Sequence, residues 1–326
     1  MSTVHTLIEY AKTMPDTRAG QKARAVIEMF AAEADFYGVM PFKQAPGGVY
    51  RYQREGELPS NMGFRAINEL PEAGHGVIND YVEQCFPIAG NIDVDRVLLS
   101  RFGMERRAIE ERMSIKRKAK ILADTFIYGD NHSSPREYTG LKARLKPVNG
   151  SIDGSNSESR VMTNDASSGG GPLSLAKLDI AIANVENPTH LIMPKIIRDR
   201  FSAATRDTGV SGFYTQDKDS LGRPVHRYNG LPMLIGYGIS PFGNFMPFDE
   251  VGSGGGAAST ASIYVVSFSE YGVAGLETKP MEVKDMGLLE SGVHYRTNIE
   301  HDTGLCVEGA YSALRLTSVT NAPIVA

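Results

Sequence analysis

Between Gly47 and Gly74 the chain carries a ribbon too polar to line a core, and that ribbon limits what the rest can become. Tyr50 and Tyr52 alternate with Arg51, then Gln53, Arg54 and Glu55 follow. Pro59-Ser60-Asn61 supplies a turn, and MGFRAINEL predicts the returning strand. Two isolated strands are marginal in water. A long β-hairpin of this composition therefore projects from the body or pairs with something else.

The strongest helical signal follows, from Met104 to Tyr128, where Ala108, Ile115, Ala119, Leu122 and Phe126 recur at helical intervals amid dense charge. At 1.5 Å per residue this helix spans on the order of 35 Å and can form the backbone of a flat domain. Ahead of the hairpin, Leu7, Ile8 and Ala11 mark one short helix. After the break at Pro15 and Gly20, Ala23, Ala25, Val26, Met29, Phe30 and Ala34 mark another. Residues 81–99 read as strand, and 147–172 turn rich in Gly, Ser, Asn and Asp, which predicts a long mobile loop. An α/β rhythm then sets in, with a helix over Leu173–Val185, a strand over Thr189–Met193 and a helix from Pro194 to about Thr205. Strands are predicted near Val225–Ile239 and at SIYVVSF (262–268), and the remainder as short strands alternating with turns.

The 326 residues suit about two folding units at roughly 100–200 residues each. With 41% apolar residues, 22% charged residues and a net charge of −4, neither disorder nor a strongly basic nucleic-acid binder fits. Cys85 and Cys306 are far apart in sequence, offer no metal-ligand spacing or disulfide framework, and fit a reducing compartment. No stretch approaches the ~20 consecutive apolar residues of a membrane span, and MSTVHTLIEYAK lacks the pattern of a signal peptide, so a cytoplasmic protein is expected.

Catalytic signatures do not assemble. Gly252-Ser253-Gly254-Gly255-Gly256 is followed by Ala257-Ala258-Ser259-Thr260, not by the Lys-Ser/Thr of a phosphate loop, and reads as a flexible loop. Gly169-Gly170-Gly171 runs into Pro172 and reads as a hinge. The seven histidines form no i, i+4 pair, and His294 with His301 reads as strand rather than ligand pair. Asp153, Glu158 and Asp165 read as loop solvation, and no G-x-S-x-G elbow occurs. The window 101–128 holds eight Lys/Arg against four Asp/Glu, with Glu105, Glu110 and Glu111 interspersed, which predicts a solvated outer face. No nucleophile, base and oxyanion site come together, so the expectation is a structural role without enzyme activity, cofactor or metal.

The order of arm, polar hairpin and long charged helix ending in ADTFIYGD (123–130), followed by Tyr138-Thr139-Gly140-Leu141-Lys142, resembles major capsid proteins of tailed bacteriophages, of the Hong Kong 97-type fold. His190-Leu191-Ile192-Met193-Pro194 and the helix after it add to the resemblance. It implies an α+β fold with an N-terminal arm over 1–46, an extended β-hairpin loop over 47–75 and a peripheral domain over 76–149 with its spine helix at 104–128. An axial domain over 150–285 follows, and strands over 286–326 return to the peripheral domain. The implied function is a subunit that self-assembles into hexamers and pentamers of an icosahedral shell around double-stranded DNA, in the virion after assembly in the host cytoplasm. The extended loop would lie over a neighbouring subunit, with Tyr50, Tyr52, Arg54, Pro59, Asn61, Phe64 and Arg65 in contact.

Implied partners are a portal, a decoration protein and a separate scaffolding protein, since only about forty residues precede the hairpin. Contact with packaged DNA would be weak and non-specific, and no membrane is involved. No lysine occurs between Lys43 and Lys116, so the loop tip lacks the amine with which some such shells form isopeptide bonds, and a non-covalent shell is expected. Two other readings stay open: an encapsulin-like nanocompartment shell, and an α/β enzyme holding a phosphorylated ligand on the Gly-rich loops.

Overall fold

The computed structural model describes residues 4–146, 160–205, 214–218, 224–241 and 243–325. Numbered along the chain, the strands of a five-stranded sheet lie in the order β1 (His5–Thr6), β2 (Pro41–Gln44), β15 (Val273–Leu288), β16 (His294–Val307) and β5 (Phe86–Asp95). An eight-stranded sheet runs β6 (Val161–Thr163), β17 (Ala313–Thr320), β14 (Ala258–Val266), β7 (His190–Ile192), β10 (Leu231–Leu234), β9 (Pro224–Tyr228) and β8 (Tyr214–Lys218), with β13 (Glu250–Val251) paired to β14. Two small ladders remain, β3 (Val49–Glu57) with β4 (Val77–Gln84), and β11 (Ile239–Ser240) with β12 (Gly243–Asn244). The helices are α1 (Leu7–Thr13), α2 (Arg18–Glu33), α3 (Arg96–Phe102), α4 (Glu105–Tyr128), α5 (Leu141–Arg144), α6 (Leu175–Ala183) and α7 (Lys195–Ala204). Among the described residues no helix is long and apolar enough to cross a membrane.

Strand alternation divides the apolar side chains of the larger sheet between two cores. Ile263 and Val265 of β14, Leu314 and Leu316 of β17, and Leu191 of β7 pack with Leu178 and Ile182 of α6 and Ile197 and Phe201 of α7. Their neighbours Tyr264, Val266, Ala313 and Ile192 enter the other core, with Ile115, Leu122 and Phe126 of α4 and Val26, Ile27 and Phe30 of α2. Helices thus cover both faces of this sheet, a layered α+β arrangement. Residues 4–40, part of the stretch expected as an arm, lie against the body: Leu7 and Ala11 are buried, and Asp35 accepts the Ile235 and Gly236 N–H groups at 2.7 and 2.9 Å.

The carboxy-terminal strands depart from expectation. β15 and β16 run for 16 and 14 residues rather than as short strands between turns. The division expected at 285/286 falls inside β15, and β17 does not return to the five-stranded sheet but pairs with β14 and β6. Leu314 and Leu316 complete the apolar face begun by Ile263 and Val265, and this holds β17 there.

α4 begins and ends as its periodicity predicts, yet its charge is not all solvated. Arg107 is buried and donates to Asp285 Oδ1 at 2.6 Å and Thr297 Oγ1 at 2.8 Å. Lys118 is buried and donates to the Ile299 carbonyl at 3.1 Å, and Lys120 to Ser240 Oγ at 2.6 Å. Burial lowers the Lys118 ammonium to a pKa of about 8. Long stems reaching across apolar surface let these three cations sit on the inner face. Ala108, by contrast, is exposed.

The stretch that carries the family resemblance folds back on the end of α4. A Cβ at Gly140 would stand 2.5 Å from the Thr125 carbonyl oxygen and one at Gly129 2.4 Å from that of Tyr138, so both positions require glycine. The approach brings Tyr138 OH to 2.9 Å from Tyr37 OH and buries Leu141 and Leu145. The 252–256 tract is not a flexible loop: a Cβ on Gly254 would sit 2.1 Å from the Ala166 carbonyl oxygen, and Gly255 O accepts the Gly169 N–H at 2.8 Å. Close packing accounts for Gly170, Gly254 and Gly256, and positive φ angles of 80 and 78° account for Gly169 and Gly255. Of the long loop expected at 147–172, positions 147–159, with Asp153 and Glu158, lie outside the described residues, while Val161–Thr163 is strand.

His294 and His301, seven residues apart on β16, point to opposite faces and share no site. His190 is half-buried on β7 beside the Phe268 ring at 5.3 Å, and its Nδ1 lies 3.0 Å from Thr189 Oγ1. Burial, reinforced by Arg227, lowers its pKa to about 4. An unfolded imidazole titrates near ~6.5, so between these values the unfolded chain binds a proton that the folded chain refuses. Stability is therefore expected to fall by up to about 3 kcal/mol as pH drops from 6.5 toward 4. Urea titrations across that range should show a slope that His190→Asn flattens.

Candidate inter-subunit surface

The projecting hairpin is real, but its returning strand is not residues 62–70. β3 pairs antiparallel with β4, Val77–Gln84, in the register Tyr50↔Glu83, Tyr52↔Tyr81 and Arg54↔Asn79. Val77, Ile78, Tyr81 and Val82 are strand formers, whereas Pro59 and Pro71 bracket a segment that makes no ladder. The cross-strand rings of Tyr52 and Tyr81 stack at 5.5 Å, with the Arg54 guanidinium 4.5 Å above Tyr81.

This ladder joins neither main sheet. Side chains fix its root instead. Tyr52 is buried against Ala45, Leu276 and Cys306, with Tyr50 and Cys85 at the edge, so the two cysteines share one small apolar cluster, both as free thiols. Tyr52 OH donates to the Val307 carbonyl at 3.2 Å. Arg54 Nε donates to the Glu308 carbonyl at 2.9 Å and a second guanidinium nitrogen to that of Val307. Buried Lys43 pairs with the Glu308 carboxylate and reaches Tyr50 OH at 3.2 Å. Arg144 holds Glu83 with both terminal nitrogens, one at 2.7 Å, and also donates to the Leu305 carbonyl at 3.0 Å. Desolvation in this cluster pushes the Cys306 thiol up to about 12 and Cys85 to about 11, which leaves both unreactive as nucleophiles.

The tip differs in kind. Phe64, Ile67 and Leu70 have 113, 93 and 88% of full exposure, and Leu58 and Met62 are nearly as open. Local bonds shape the loop: Asn61 Nδ2 donates to the Glu72 carbonyl at 2.6 Å, the Ala66 N–H to Glu69 Oε2 at 2.7 Å, and Arg65 to the Glu69 carbonyl at 2.9 Å.

The seven residues singled out from sequence thus separate into two groups. Tyr50, Tyr52 and Arg54 are spent on their own chain at the root, while Pro59, Asn61, Phe64 and Arg65 belong to the outlying tip. Sequence reasoning missed Lys43, Glu83, Arg144 and Glu308, whose partners are distant in the chain. It also passed over Leu58, Met62, Ile67 and Leu70, for which the available signal was five large apolar residues inside an otherwise polar segment.

No family model matches the sequence, and no curated protein is similar to it. Among solved structures, the chain is similar to the holo-SrpI encapsulin complex of Synechococcus elongatus PCC 7942, with 13% identity over 96% of this chain and 93% of that one and a TM-score of 0.59. It is similar to the capsid of a native GTA particle, with 17% identity, 86% and 88% coverage and a TM-score of 0.57. A chain from Microbacterium phage Oxtober96 shares 9% identity over 86% and 88%, with a TM-score of 0.52. The chain has the Hong Kong 97-type capsid fold.

Proposed function

We propose that this chain is the major shell subunit of a tailed double-stranded DNA bacteriophage, assembling through hexamers and pentamers into a closed icosahedral capsid. The observation that carries the proposal is the outlying apolar tip of the hairpin: a solitary soluble chain rarely leaves such a patch in water, and a second copy can cover it. The five-stranded sheet with α4 takes the part of the peripheral domain and the eight-stranded sheet with α6 and α7 that of the axial domain. The role is structural rather than catalytic. Many moderate contacts per subunit give a lattice avidity without any single strong patch, and a net charge of −4 keeps contact with packaged DNA weak. A separate scaffold, a portal and a decoration protein are the partners this reading calls for.

A second reading is favoured by the full-length match to the SrpI encapsulin, namely a nanocompartment shell around a protein cargo. Electron microscopy of the purified protein, with assay of nucleic acid and co-purifying protein, separates the two. Closed shells that package DNA support the first, closed shells holding a protein cargo support the second, and a monomer at every concentration refutes both. The lysine-free hairpin adds a further expectation: particles boiled in detergent should run as single chains, and a ladder of covalent oligomers would contradict it.

A further inference from the structure

Where β10 leaves the eight-stranded sheet, residues 235–241 cross onto α4 and the N-terminal helices, and two carboxylates receive them. Asp35 opens the short turn Asp35–Gly38 after α2 and accepts the Ile235 and Gly236 N–H groups, one on each oxygen. Tyr237 OH donates to Asp124 Oδ1 of α4 at 2.9 Å, and the Lys120 ammonium that reaches Ser240 lies 4.8 Å from the Tyr237 ring centre. Phe245 gives its N–H to the Gly238 carbonyl at 2.9 Å and sets its ring 5.9 Å from Phe36 and 5.6 Å from Tyr237. Both phenylalanines are buried. A Cβ on Gly236 would stand 2.6 Å from the Phe245 ring, so the backbone runs directly against that ring.

The cations around the two carboxylates compensate them only in part. Arg198 of α7 acts on Asp35, but its guanidinium is already bound to Asp199 at 2.8 Å, as is the Lys195 ammonium at 3.3 Å. Arg117 and Lys120 of α4 act on Asp124. Withdrawal from water outweighs these cations and the N–H bonds: it pushes the Asp35 carboxyl up to about 6 and raises that of Asp124. A hydrated aspartate titrates near ~3.9, so between these two values the closed segment holds a proton that an opened one releases. Rising pH therefore works toward opening and falling pH toward closure.

We propose that Asp35 is a proton-operated catch on residues 235–241: protonated, it leaves them closed on α4 and the N-terminal helices, and ionised, it favours their lifting away from Phe36 and Phe245. The segment then uncovers aromatic surface as the proton is lost and covers it again in acid. Ionisation does strengthen the two N–H bonds to Asp35, but holding the charge out of water costs more. The sheet itself stays in place, because Tyr264 and Val266 of β14 keep their packing in the core shared with α4, so the opening is local. The inference is independent of the shell reading, since it concerns one subunit and needs no second copy.

The test is hydrogen exchange on the full chain at about pH 5 and about pH 8, each amide's rate being divided by its intrinsic rate at that pH. Protection over 235–241 should be about tenfold lower at the higher pH, the ratio produced by a carboxyl moved from ~3.9 to about 6. Amides of β14, which report global unfolding, should stay better protected at both. Asp35→Asn, which cannot ionise, should flatten the dependence to within about twofold. Tyr237→Phe removes the tie to Asp124 and leaves the catch, so it should lower protection at both pH values and keep the tenfold ratio, an arm that still decides should Asp35→Asn fail to fold. Four results would overturn the inference: protection over 235–241 that matches β14, no pH dependence or one of opposite sign, a dependence that survives in Asp35→Asn, or its loss in Tyr237→Phe.

Discussion

Replacing Phe64 and Ile67 together by aspartate is expected to yield a folded subunit that builds no particles. Both side chains touch little of their own chain, at 113 and 93% exposure, so unfolding free energy should stay within about 0.5 kcal/mol of the wild type. In an assembled lattice the same positions would be covered, and burying a carboxylate without a partner costs several kcal/mol or forces its protonation. Every subunit repeats the defect, so the concentration needed for assembly should rise beyond reach. Thermal unfolding checks the first half and electron microscopy the second. Particles forming at wild-type concentration would remove the tip from the interface and, with it, the observation on which the function rests. A collapse in stability would mean instead that the tip serves its own fold.

Legibility in the sequence followed the range of the interactions. The helix over α4 and the pair α1 and α2 could be read because a 3.6-residue period is local, and their inward faces match the apolar stripes at Ile115, Leu122 and Phe126 and at Val26 and Phe30. The polar hairpin was legible as an anomaly, since nothing nearby could satisfy it, but its return was misplaced. MGFRAINEL has the apolar content of a strand, and only the pairing of Tyr52 with Tyr81 reveals that it is a loop. Lys118 and Lys120 looked solvated because composition cannot show that the Ile299 carbonyl and Ser240 Oγ wait beneath the helix. The Gly-rich tracts misled in the same way: glycine marks flexibility and close approach alike, and the contact of Gly254 with Ala166 is non-local. The polar root was invisible for the same reason, as Arg144 is 61 residues from Glu83 and Lys43 is 265 from Glu308.

That root carries the second large effect. Arg144 and Glu83 are 15 and 17% exposed, and Arg144→Met would strand the Glu83 carboxylate beside Tyr52 OH, 3.4 Å away, whose single proton the Val307 carbonyl also takes at 3.2 Å. Removing one partner of such a pair typically costs about 3–5 kcal/mol, most of it from the charge left behind. Arg144→Met is thus expected to lower stability by about 3 kcal/mol, and adding Glu83→Met should recover most of the loss, because neither charge then remains to be desolvated. Hydrogen exchange separates local from global damage. β3 and β4 are tied to the body by the side chains of Tyr52, Arg54 and Arg144, whereas the Cys85 N–H to Gly48 carbonyl bond at 2.9 Å only extends their own ladder. Their amides should therefore exchange faster in Arg144→Met while those of α4 follow the global stability alone. If the double variant is as unstable as the single one, the pair is held by packing rather than charge. Should β3 and β4 keep their protection in Arg144→Met, the apolar cluster of Tyr52, Leu276 and Cys306 alone orients the hairpin that a shell would need to aim at its neighbour.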